Sequence, residues 1–173
     1  MLFRSGQEYS GYFEHVGPAD DCTECHGTHT LEVEVELCSG CHEGVETQED
    51  LQNIRMSEVD YDGDGNVEEG VAGEVATMHE ALYEAIQGYA ADTIGTEIMY
   101  NPNAYPYWFT ADEERYTTWT PRLLQAAYNY QYAAKDPGAF AHNASYVLQA
   151  LYDSIDNMGG DVSGMTRPEV STE

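Results

Sequence analysis

Cys22-Thr23-Glu24-Cys25-His26 and, sixteen positions further on, Cys38-Ser39-Gly40-Cys41-His42 contain every cysteine of the chain. Both strings read C-x-x-C-H, the pattern by which a haem c is attached. The spacing has a chemical reason. Two thiols three positions apart each add to one vinyl group of the same haem, and the histidine beside the second thiol is held beneath the iron as proximal ligand. The same cysteines could make a zinc ribbon or disulfides. Neither needs a histidine after each pair, and both pairs have one. Cys22, Cys25 and His26 are therefore expected to hold one haem, and Cys38, Cys41 and His42 a second. The short linker makes the two haems neighbours, close enough for fast electron hopping.

Within the linker, Leu31, Val33, Val35 and Leu37 alternate with Glu32, Glu34 and Glu36. That period predicts a short strand whose apolar side packs on porphyrin. Four histidines remain as second ligands. His29 is too close to reach over its own haem and suits the neighbouring one. His15 lies on a loop with Gly17 and Pro18 that could fold back over a haem. His142 sits near the start of a predicted helix, and His79 within a helical pattern. Saturated bis-histidine iron favours electron transfer, whereas an open iron permits peroxide or gas chemistry.

Asp60-Tyr61-Asp62-Gly63-Asp64-Gly65-Asn66-Val67-Glu68-Glu69 resembles the first part of an EF-hand loop. Oxygens at positions 1, 3 and 5 converge on a hard cation, and Gly65 permits the sharp turn. Position 12 is Val71 rather than a bidentate glutamate, so Glu69 is the expected substitute and Glu74 a further candidate. One structural calcium ion held by Asp60, Asp62, Asp64, Asn66 and Glu69 is expected.

Three helical patterns follow. Val75, Met78, Leu82 and Ile86 line one face between about 71 and 90. After an aromatic and proline-rich loop over 100–109, Thr120-Pro121 opens a second helix as N-cap and first-turn proline. It carries Leu123, Leu124, Ala127 and Tyr128 and stops at Asp136-Pro137-Gly138. The third runs from about Ala139 to Met158, with Val147, Leu148, Leu151 and Ile155 inward, and Gly159-Gly160 ends it. Asn143-Ala144-Ser145 is a glycosylation sequon. The expected fold is mainly α: an irregular diheme region with a short strand over 1–56, a calcium loop over 57–74, a three-helix region over 75–160, and a loose or docked tail over 161–173.

The chain has 32 acidic residues against 6 basic ones among 173, a formal net charge of -26. Such a surface repels nucleic acid and anionic membrane. It suits bound calcium, cation-rich surroundings or a basic redox partner. No run of eighteen apolar residues is present, so no membrane span is expected. The first residues, MLFRSGQEYS, lack an apolar h-region. Haem attachment of this kind follows export, so the expectation is a mature sequence without its leader, extracellular or at the cell surface, with the periplasm as alternative.

His15 with the first haem motif and His29, the second motif, Ile54-Arg55-Met56 and the Asp60 loop together resemble the C-terminal region of large multihaem c-type cytochromes of environmental bacteria and archaea. Thr120-Pro121-Arg122-Leu123-Leu124, Ala126-Ala127-Tyr128-Asn129-Tyr130-Gln131 and Lys135-Asp136-Pro137-Gly138-Ala139 with His142-Asn143 extend the resemblance along most of the chain. It implies respiratory or extracellular electron transfer through bis-histidine haems, with other redox proteins or extracellular acceptors as partners. This chain has two haem motifs where such relatives carry more. A homopolymer in which a distal histidine crosses to a neighbouring chain is one expectation. A monomeric shuttle is another, and an enzyme with an open haem, such as a peroxidase or oxyanion reductase, is a third.

Overall fold

A computed structural model of the chain describes residues 6–15, 17, 19 and 21–170. The first five residues, Pro18 of the loop after His15, and the end of the tail lie outside them. The described chain is mainly helical. Two short turns of helix are α1 (Cys22–Cys25), which spans the first cysteine pair, and α2 (Val35–Ser39), which reaches Cys38 of the second. A 3₁₀ turn (Asp50–Asn53) and the acidic loop lead into α3 (Val71–Tyr89). A π turn (Ala90–Ile94) ends at Gly95, and a hairpin of β1 (Met99–Tyr100) and β2 (Trp108–Phe109) precedes α4 (Pro121–Lys135) and α5 (Ala139–Met158).

The last three helices form the core. Met78, Leu82 and Ile86 recur at the spacing of one helix face on α3 and are fully buried. Leu123, Ala126, Ala127 and Tyr130 of α4 meet them, as do Val147, Leu148, Leu151 and Ile155 of α5. Leu124 and Tyr128 of α4 are exposed, because the inner face is set by Leu123, Ala127 and Tyr130. Thr120 caps α4, its Oγ1 accepting from Leu123 N at 3.1 Å. Gly159 closes α5 at φ 84°, a left-handed conformation that favours glycine. The aromatic segment expected as a loop is an antiparallel pair with Tyr100 opposite Trp108.

The linker strand does not form. Gly27 N donates to Glu32 O and Leu31 N to Gly27 O, both at 2.8 Å, which closes a tight turn after His26. Leu31 takes φ 60°, Val33 keeps a single bridge to His26, and Val35 already begins α2. Among the described residues no strand runs beside 31–37, so helical bonding satisfies the backbone where sheet bonding cannot. Leu31 and Leu37 are exposed.

α5 is broken near its start. Asn143 has φ -167° and ψ 78°, and its Oδ1 accepts from Tyr146 N at 3.0 Å, capping the longer second segment. Its Nδ2 donates to Gly11 O at 2.7 Å, so the sequon nitrogen is engaged with the N-terminal segment. The tail docks. Gln149, fully buried, accepts from Ser10 N at 2.8 Å and donates to Pro168 O at 3.1 Å. Arg167 pairs with Asp153 at 2.8 Å and donates to Glu8 O at 2.8 Å.

His79 belongs to the core of this body. Its ring stacks on Tyr130 with centroids 3.9 Å apart, and its Nε2–H donates to the Tyr130 carbonyl at 2.9 Å. Burial lowers its pKa, against the hydrogen bond and Glu80, which raise it. A histidine held neutral in the fold but free to protonate when unfolded stabilises above the unfolded pKa of about 6.5, and that stability is lost as pH falls. Thermal melts at pH 8 and pH 5 should therefore show a smaller acid loss for His79→Phe than for wild type. Equal losses would show that His79 titrates alike in both states.

Candidate haem and cation sites

Each C-x-x-C-H string winds as one helical turn that sets its two thiols on one side. His26 N donates to Cys22 O at 2.9 Å, and His42 N donates to Cys38 O at 2.8 Å. The first turn is capped by Glu24, whose Oε2 accepts from Asp21 N at 3.0 Å. The turns adjoin: Glu34 N donates to Cys25 O at 2.9 Å, and the Cys25 thiol pKa is raised by burial, then by Cys38, Glu24 and Cys22. All four thiols are free. They do not converge as a four-thiolate zinc site requires; among the described residues only acidic groups converge tightly.

His26 and His42 each face a second imidazole. The rings of His26 and His142 have centroids 6.2 Å apart, and those of His15 and His42 6.1 Å. Metal–imidazole bonds of about 2 Å put the centroids of two rings bound on opposite sides of one iron about 6 Å apart. These residues therefore fit two bis-histidine haems, one on Cys22, Cys25, His26 and His142, the other on Cys38, Cys41, His42 and His15. His29 is exposed and, among the described residues, faces no other imidazole. His79 spends its Nε2 proton on a carbonyl inside the helical body.

Both rings of the first pair have a proton placed on Nδ1. His26 Nδ1 lies 3.0 Å from the Leu31 carbonyl, which can only accept, so Nδ1 carries the proton and Nε2 keeps its lone pair. His142 Nδ1 lies 2.9 and 3.0 Å from the two carboxylate oxygens of Asp136, so its Nδ1 carries a proton as well. Tyr12, Phe13, Leu31 and Leu37 are exposed apolar side chains in the same region. Such side chains suit the faces and edges of a porphyrin.

The acidic loop is built by its own carboxylates. Asp60 Oδ1 accepts from Gly63 N at 2.7 Å and Oδ2 from Gly65 N at 2.9 Å. Asp62 accepts from Asp64 N, Asp64 from Asn66 N and Asn66 from Glu68 N. Carboxylate oxygens of Asp62, Asp64 and Glu69 come within 4.8 Å of one another, as do those of Asp60, Asp62 and Glu74. Asp62 Oδ2 and Glu69 Oε1 are buried with no hydrogen-bond partner. Burial raises the Asp62 pKa against hydrogen bonds from Asp64 and Thr77, with Glu74 and Asp64 adding to the rise, and burial with neighbouring carboxylates raises that of Glu69 against Arg55. Converging oxygens that lack donors are what a hard cation needs.

Glu74, the further candidate ligand, lies with Asp60 and Asp62 and also closes the base of the loop. Its Oε2 accepts from Tyr61 N at 2.9 Å and Asp62 N at 2.8 Å, while Oε1 lies 2.6 Å from Arg55 Nη1 in an ion pair closed to solvent. Arg55 also donates to the carbonyls of Ser57, Val59 and Glu69, so one guanidinium gathers both ends of the loop. Gly73 leaves the space that Glu69's carboxylate fills; a Cβ there would collide with it. Reading the sequence missed Arg55 and Asp136 as functional positions. The scarcity of basic residues in so acidic a chain was the available signal for Arg55. Among the described residues, no helix is long and apolar enough to cross a membrane. No known family's model matches the chain, and neither a curated protein nor a solved structure matches it, so the multihaem resemblance rests on the motifs alone.

Proposed function

We propose that the chain is a diheme c-type electron carrier working outside the cytoplasm, with both irons saturated by histidine. The observation that carries this reading is the pairing of each proximal histidine with a second imidazole, His26 with His142 at 6.2 Å and His42 with His15 at 6.1 Å. Haem iron supplies the one-electron step by cycling between ferric and ferrous. The chain's own residues do the rest. The cysteines fix each macrocycle to one helical turn. Leu31 and Asp136 hold the Nδ1 protons of His26 and His142, which aims both Nε2 lone pairs. Four histidines filling four axial positions favour a carrier over a peroxidase or reductase. They also make a ligand from a neighbouring chain unnecessary, so the monomeric shuttle is the simpler form, and His29 is the one exposed histidine left for a polymer contact.

Matured with its haems, the wild-type protein should keep two haems per chain after denaturation and acid-acetone extraction, and its spectrum should be wholly low-spin. His15→Ala and His142→Ala should each turn one haem high-spin, whereas His29→Ala should leave both low-spin. A high-spin band in the His29 variant would reassign the ligands, and loss of all haem into the extract would end the cytochrome reading.

A calcium ion held by Asp60, Asp62, Asp64 and Glu69 is the second part of the proposal, supported by the buried, unpartnered oxygens of Asp62 and Glu69. Calcium at a hundred times its dissociation constant stabilises a fold by about 2.7 kcal/mol. For a chain of this size that is roughly 5–10 °C in Tm. Asp62→Asn with Asp64→Asn should abolish the calcium response and leave the chelated protein as stable as wild type or more so, since like charges are removed. An unchanged calcium response in that variant would place the ion elsewhere.

A further inference from the structure

We infer that Asp136 is a positioning residue that makes the haem site of Cys22 and Cys25 the lower-potential one of the two, giving the chain a direction. The inference rests on the bis-histidine reading above and adds a difference between its two halves. His142 gives its Nδ1 proton to a carboxylate, with both oxygens of Asp136 within 3.0 Å. His26, on the opposite side of the same site, gives its proton to a neutral carbonyl at 3.0 Å. Among the described residues, no carboxylate lies against the ring of His15 or His42.

The contact is built. Asp136 ends α4, and its Oδ1 also accepts from Gly138 N at 3.1 Å, which fixes the carboxylate in the turn between α4 and α5. His142 is in the first turn of α5, just before the break at Asn143, and His142 N donates to Gly138 O at 2.9 Å. Gly138 lies flat against the imidazole: a Cβ there would sit 2.8 Å from the ring's Cε1. Backbone, carboxylate and ring are thus locked in one orientation.

A carboxylate that accepts from Nδ1–H pulls electron density toward the other nitrogen and raises its basicity as a ligand. A more basic axial ligand, with a negative charge beside it, stabilises the ferric state over the ferrous. Asp136 therefore biases one haem toward the oxidised form relative to its neighbour. Electrons then rest on the haem of Cys38 and Cys41 and leave most readily from the other.

The test is a redox titration of the matured holoprotein with its spin state followed optically, comparing wild type with Asp136→Asn and with Glu32→Gln, which removes a surface charge that contacts no ligand ring. Asp136→Asn should shift the oxidised-to-reduced ratio of one haem about tenfold toward reduced, about 59 mV for one electron. The other haem should move no more than it does in Glu32→Gln, and both should stay low-spin. If both haems shift alike, or neither shifts, the inference is overturned while the diheme reading stands. If wild type carries no thioether-bound haem, the diheme reading itself fails. Should the asparagine variant not mature, Asp136→Ser removes the same charge and is read by the same criteria.

Discussion

Asn143 is the point on which both halves of the candidate haem region hang. Its extended backbone interrupts α5 directly after His142. Its side chain caps the segment that follows and holds the Gly11 carbonyl, four residues before His15. One amide thus ties the placement of both candidate distal histidines to the same helix. A buried helix with this defect loses little, because the capping bond replaces those the break removes.

Below that joint, the helical body works as a frame. Its apolar faces are regular, and its polar insertions are each assigned a structural task. Gln149 clamps the N-terminal segment against the tail, Asn129 Nδ2 donates to Ser154 Oγ at 2.8 Å, and Glu74 closes on Arg55. A buried pair such as Arg55 and Glu74 is weak evidence of added stability, but removing either partner leaves a stranded charge. Its effect here is geometric: it brings the acidic loop onto the first turn of α3. Gly70 permits the approach, since a Cβ there would lie 1.8 Å from the Gln52 carbonyl.

Periodicity and caps were enough to read the helical part. Met78, Leu82 and Ile86, the Thr120 cap and the Gly159 stop are local signals, and local signals survive folding. The linker alternation misled because a strand needs a partner, and none among the described residues runs beside it. The haem motifs are written contiguously, so their half of the site could be named residue by residue. Which histidine meets which could not, because the partners of His26 and His42 lie 116 residues downstream and 27 upstream. Asp136 was legible only as a helix stop; its contact with His142 depends on a turn whose geometry no short pattern encodes.

The clamp at Gln149 has a consequence for the order of assembly. Ser10 and Gln149 are separated by 139 positions, and Glu8 and Arg167 by 159. Closing so long a loop costs entropy that must be repaid by contacts already formed, so such contacts come late. A chain made from its N-terminus therefore has its cysteines available long before the segment bearing His15 has anything to dock on. Docking of that segment, and with it the approach of His15 to His42, waits for the residues around Gln149 and Arg167.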